Sequence, residues 1–98
     1  MDALTVAEQQ AMGTHFDEKG KPLVVLYGTN WCPYCKRMRE YLSAQNIPYR
    51  YEDVEGSGSA KTAYDTLVGR GYPLTFVGFR RIDGYDENKI KQAVKDLL

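Results

Sequence analysis

Leu23-Val24-Val25-Leu26-Tyr27 is apolar at five successive positions, without the alternation of a strand that has one face in water. A short continuous run of this kind predicts a strand covered on both faces, which belongs in the middle of an α/β sheet. Shortly after it, Tyr34, Met38, Tyr41, Leu42 and Gln45 recur at helical spacing and are mostly apolar. Pro33 suits the first turn of that helix, where its missing N–H is not needed, and Asn46 and Pro48 stop it. Tyr49, Tyr51 and the alternation through Val54 predict a half-exposed second strand. A strand-helix-strand unit makes its two strands parallel, joined by a right-handed crossover.

The remaining elements follow from local signals. Thr5 to Glu8 fits a capping box, which opens a short helix to about Met12 with Leu4, Ala7 and Ala11 on one side. Ser57 or Ser59 caps another helix with Ala60, Ala63, Tyr64, Leu67 and Val68 inward, and Gly69 and Gly71 end it. Leu74 to Val77 is a third strand packed beside the first. Gly78-Phe79 turns the chain so that Arg80 to Asp83 returns antiparallel. Asp86 is the expected N-cap of a last helix with Ile90, Ala93, Val94 and Leu97 inward. The expected architecture is α/β, a four-stranded mixed sheet flanked by helices. Residues 1–21 form an N-terminal helix and loop extension, and residues 22–98 form the main domain.

Composition limits the function. The chain has 98 residues, 43% of them hydrophobic, enough for one core without a disulfide framework. Thirteen basic residues balance thirteen acidic ones and no basic stripe stands out, so nucleic-acid binding has no electrostatic support. No apolar run approaches the ~18 residues of a membrane span. Residues 1–22 show neither a basic n-region nor an apolar h-region, so the cytoplasm is the expected compartment. An exported form with its signal removed would look the same.

The chain's two cysteines, Cys32 and Cys35, stand at the junction of the buried strand and the helix. Unpaired N–H groups and the dipole make a helix N-terminus a favourable place for an anion. A Cys-x-x-Cys there has its thiol acidity raised, to a pKa of roughly 3.5–7.5 against about 8.5 for a free thiol. Cys32 would then be the nucleophile and Cys35, nearer the helix body, the resolving thiol. Lys36 and Arg37 either strengthen the positive field or are solvated helix decoration. A staple across two residues would remove little unfolded-state entropy. A structural zinc ion wants four ligands, and His15 is the remaining candidate of the right type. A cluster held between two chains and completed by external thiols is a further alternative. Position favours the redox dithiol.

Tyr72-Pro73 is the second informative stretch. Proline at a strand entry is ordinary edge punctuation. A cis bond here would instead bring the Tyr72 backbone to the Cys32 sulfur, where it could pair with an extended substrate.

Cys32-Pro33-Tyr34-Cys35 resembles the dithiol active site of glutaredoxins. Tyr72-Pro73 lies where that family has its cis-proline loop, and Gly84-Tyr85-Asp86-Glu87 resembles its turn before the last helix. The resemblance runs from about Pro22 to Leu98. It implies the thioredoxin fold, a cis Pro73 and thiol–disulfide oxidoreductase activity without a bound cofactor. It also implies a monomer, with glutathione as electron donor and with glutathione and disulfide-containing proteins as partners. Tyr34 would line the glutathione groove, and Tyr72 would offer its backbone to the cysteinyl part. Tyr85 would donate its N–H to the γ-glutamyl carboxylate, and Asp86 would accept from the γ-glutamyl ammonium or serve only as an N-cap.

Three positions depart from the pattern. Thr29 stands where many glutaredoxins have a lysine for the glycyl carboxylate, Asp83 where a second glycine is common, and Trp31 is more similar to thioredoxins. Arg70 or Arg80 would have to restore the lost charge. Thr29 and Trp31 favour a rival in which a thioredoxin reductase-like flavoenzyme supplies electrons. Pro33 argues against the cluster-binding rival. A fold used only for protein contact is the third.

Overall fold

A computed structural model of the chain describes residues 5–98. Leu4, expected on the inner side of the first helix, lies outside them. The elements are α1 (Val6–Gly13), β1 (Val24–Gly28), α2 (Pro33–Ala44), β2 (Arg50–Asp53), α3 (Gly58–Thr66), β3 (Leu74–Val77), β4 (Arg80–Asp83) and α4 (Glu87–Leu97). The sheet order is β2-β1-β3-β4. β1 and β2 run parallel, with Val25 opposite Arg50; β3 is antiparallel to both β1 and β4. This is the mixed sheet expected from the sequence.

Every residue of β1 is buried, as its unbroken apolar run requires. The strand's two-residue period sorts them between two layers. Val25 and Tyr27 pack with Ala11, Tyr64 and Phe76 on one face, while Val24 and Leu26 pack with Met38, Leu42 and Ile90 on the other. The predicted caps form. Thr5 and Glu8 close a capping box on α1, and Ser57 and Asp86 cap α3 and α4. Asn46 takes the left-handed conformation that ends α2, and the Ile47 N–H reaches back to the Leu42 carbonyl at 2.9 Å.

The end of α3 differs from expectation. The helix stops at Thr66, and Val68 is 64% exposed with φ of 56° rather than inward. Packing forces the exchange. A Cβ on Gly69 would lie 2.1–2.4 Å from atoms of the Tyr64 ring, so glycine is needed at 69 for space and the left-handed turn falls on valine. Arg81 donates to the carbonyls of Leu67 and, at 2.8 Å, Val68, and so satisfies the helix end.

His15 is fully buried in the layer beneath α1. Its Nε2 lies 2.8 Å from the Tyr27 hydroxyl, and its ring stacks on Phe76 at 4.5 Å. Burial, helped by the positive Arg50 and opposed by the Gly78 backbone, pushes its pKa down from 6.5 to about 4. The imidazole is therefore a neutral core group, and the zinc reading loses its third ligand. Between these two values the unfolded chain takes a proton that the fold refuses, so stability must fall as pH drops through that window. The ceiling of the loss is on the order of 3 kcal/mol. Urea midpoints at pH 7.5, 5.5 and 4.5 should show the slope, and His15→Gln should remove it. An unchanged slope in the variant would assign the acid sensitivity to carboxylates instead.

Candidate active site

β1 delivers the chain to a loop, Thr29 to Trp31, and Cys32 is the N-cap of α2. Its sulfur does what a serine or aspartate oxygen usually does there. Sγ accepts the Cys35 N–H at 3.2 Å, and the Cys32 carbonyl accepts the Lys36 N–H at 3.2 Å. A negative sulfur at this position meets a donor already aimed at it.

Both thiols are free, Cys32 6% exposed and Cys35 not at all. Burial, then the hydrogen bond to Cys32, pushes Cys35 up to about 12, against the pull of the Thr29 backbone and Arg39. Arg39, one turn beyond Cys35, is the basic residue that lowers it. Arg39 rests over the Tyr51 ring at 4.5 Å, and the Tyr51 hydroxyl donates to Asn30 at 3.2 Å. Arg37 instead lies 5.7 Å from the Tyr34 ring centre.

Gly28 is a site residue that the sequence did not reveal. A Cβ there would lie 2.8 Å from Cys35 Sγ and 3.2 Å from its Cβ. Gly28→Ala should therefore cost about 1–3 kcal/mol of stability by overpacking. A thermal or urea melt checks it, and a change below about 0.5 kcal/mol would mean that the sulfur can move aside freely.

Two aromatic pairs flank the dithiol. On one side Trp31 meets Tyr72 edge-on at 5.9 Å, and Tyr72 stacks on Tyr64 at 5.1 Å. Tyr72-Pro73 is cis. On the other side Tyr34, 55% exposed and not in the core-facing row, meets Tyr85 at 6.0 Å. The Gly84 N–H donates to the Pro73 carbonyl at 2.9 Å, which ties the Gly84-Tyr85-Asp86 turn to the proline loop. Asp86 Oδ1 accepts the Lys89 N–H at 3.0 Å. All the predicted site residues thus converge on one end of the sheet.

The departures from pattern also find places. Thr29 is fully buried and its hydroxyl has no hydrogen-bond partner among the described residues. Asp83 is bonded to Arg81, which lowers its pKa. Arg80 pairs with Asp96 at 2.9 Å, whereas Arg70 shares a groove with Tyr72, Asp83 and Gly84. Among the described residues no group of three or more His, Cys, Asp or Glu side chains could hold a metal ion.

The sequence model of the glutaredoxin family matches residues 24–82, more than half of the chain. This chain belongs to the glutaredoxin family. A glutaredoxin of Ricinus communis is 30% identical over 79 residues, 76% of this chain and 78% of that protein. The fold is the thioredoxin fold. A buckwheat glutaredoxin–glutathione complex superposes with a TM-score of 0.71 at 20% identity, covering 96% of this chain and 89% of that one. NrdH-redoxin from Escherichia coli, described as glutaredoxin-like with a thioredoxin-like activity profile, superposes with 0.64 at 17% identity, covering 70% and 91%. Membership makes this a redox protein with a paired-cysteine motif. No described helix is long and apolar enough to cross a membrane.

Proposed function

We propose that this glutaredoxin reduces protein disulfides and glutathione mixed disulfides, with Cys32 as the attacking thiolate and Cys35 as the resolving thiol. The observation that carries the reading is the Cys32 sulfur at the cap of α2, met by the Cys35 N–H while Cys35 itself is buried. Cys32 attacks one sulfur of the substrate, that S–S bond breaks, and the other sulfur leaves as a thiolate. Cys35 then attacks Cys32 Sγ, closes the intramolecular disulfide and frees the second substrate thiol. The proton that Cys35 holds at neutral pH passes to the departing sulfur. Alternatively a glutathione thiolate performs the second attack.

In this reading Tyr34 lines the groove for glutathione and the Tyr72 backbone beside Pro73 pairs with its cysteinyl unit. The Tyr85 N–H meets the γ-glutamyl carboxylate. Asp86 spends Oδ1 on the helix cap and keeps Oδ2 for the ammonium. The buckwheat relative crystallised with glutathione supports the choice. A second reading, with a flavoprotein reductase as donor, draws on the buried Thr29, which puts no ammonium where a glycyl carboxylate would want one.

The deciding experiment is reduction of a small glutathione mixed disulfide, with glutathione and glutathione reductase supplying electrons. A parallel run uses thioredoxin reductase and a protein disulfide. Turnover in the first run is the expected result. Turnover only in the second would transfer the protein to the other donor, and silence in both with reduced thiols would end the exchange reading.

A further inference from the structure

We propose that the face carrying Trp31 and Glu55 docks protein disulfides that have a cationic residue, arginine or lysine, beside the reacting cysteine. The inference rests on the exchange reading above and goes on to name the class of substrate. Trp31 is 64% exposed although it directly precedes Cys32. It is not loose, because its indole Nε1 donates to Glu55 Oε1 at 2.8 Å and its ring meets Tyr72 edge-on. A large apolar surface is thus held open beside the nucleophile.

Two carboxylates, those of Glu55 and Asp53, lie on this side of the dithiol. Glu55 is exposed and forms no ion pair among the described residues. Asp53, whose oxygens accept from Asn30 and from the Glu55 N–H, forms none among the described residues either. The groove that continues from Glu55 past Gly56 and Ser57 to Tyr72 has a volume of about 440 Å³. Its one basic lining residue, Lys61, is already paired with Asp65 at 2.6 Å. An indole face bordered by unpaired carboxylates suits a guanidinium or ammonium, which can lie on the ring and face the carboxylate together. An acidic neighbour of the disulfide would meet repulsion at the same place.

The test uses reduced protein in single turnover, so the dithiol itself supplies the two electrons. The substrates are three short peptides, each in mixed disulfide with a neutral thiol and differing only by Arg, Gln or Glu beside the cysteine. The Arg peptide should react about tenfold faster than the Glu peptide in dilute salt, from one cation–π contact and one surface charge contact. The preference should shrink in about 1 M salt, where the screening length is about 3 Å. Glu55→Gln, which keeps an acceptor for the indole, should cut the preference to about threefold, the share left to the indole contact. Trp31→Ala should slow the Arg peptide more than the Gln peptide.

Equal rates for the Arg and Glu peptides in the unaltered protein would overturn the proposal. So would a preference left undiminished by Glu55→Gln. Reaction of the Gln peptide shows that exchange itself works, so either result would then count against the docking surface alone. Failure of all three peptides would remove the exchange reading and this inference with it.

Discussion

Cys32→Ser is expected to reduce exchange with every disulfide substrate to the uncatalysed rate. Cys35→Ser should keep reduction of glutathione mixed disulfides to within about threefold, because a second glutathione can resolve the intermediate. The same variant should lose protein-disulfide reduction, for which the intramolecular attack is needed. The asymmetry follows from placement. Cys32 stands at the helix cap, facing a donor and 6% exposed, while Cys35 is fully buried against Gly28 with its proton firmly held. Steady-state assays of both variants on both substrate types check this. Equal losses for the two variants on both substrates would contradict the division of roles.

Phe76→Ala should cost about 3–5 kcal/mol, the usual range for emptying a buried aromatic site. A domain of this kind has about 5–15 kcal/mol in all, so the variant would sit near the edge of folding. Phe76 lies on a central strand at 1% exposure, stacked on His15 and edge-on to Tyr27 at 6.3 Å. The loss would reach the imidazole as well. With water admitted to the cavity, the His15 pKa should rise from about 4 toward its ordinary value of 6.5, a change that NMR titration would follow. Phe76→Leu, which keeps most of the volume, should cost under about 1.5 kcal/mol and leave His15 neutral. A loss below about 1 kcal/mol for the alanine variant would mean that the layer collapses around the gap.

Much of this molecule was legible in local sequence. The five-residue apolar run gave the central strand, and Thr5, Pro33, Ser57 and Asp86 each announced a helix start through the physics of unpaired N–H groups. The dithiol was legible for the same reason, since its position relative to those elements is a short-range property, whereas the cis Pro73 came from the family resemblance and not from the local residues. What escaped depends on residues far apart in the chain. His15 reads as a metal candidate until Tyr27 and Phe76, twelve and sixty-one positions away, enclose it. Val68 looks like an inward residue until the Tyr64 ring claims the space beside Gly69. Glu55 carries no signal at all until the fold brings it to Trp31, twenty-four residues earlier. Gly28 is an unremarked strand end until Cys35 is placed against it.

Trp31 is the chain's single tryptophan and is joined by peptide bond to Cys32. Its emission therefore comes from one place and is free of background from any other indole. Sulfur close to an excited indole quenches it, and the effect differs between a thiol pair and a disulfide. Oxidation of the neighbouring cysteines is therefore expected to change that emission, which a stopped-flow instrument would follow without a dye or a coupled enzyme.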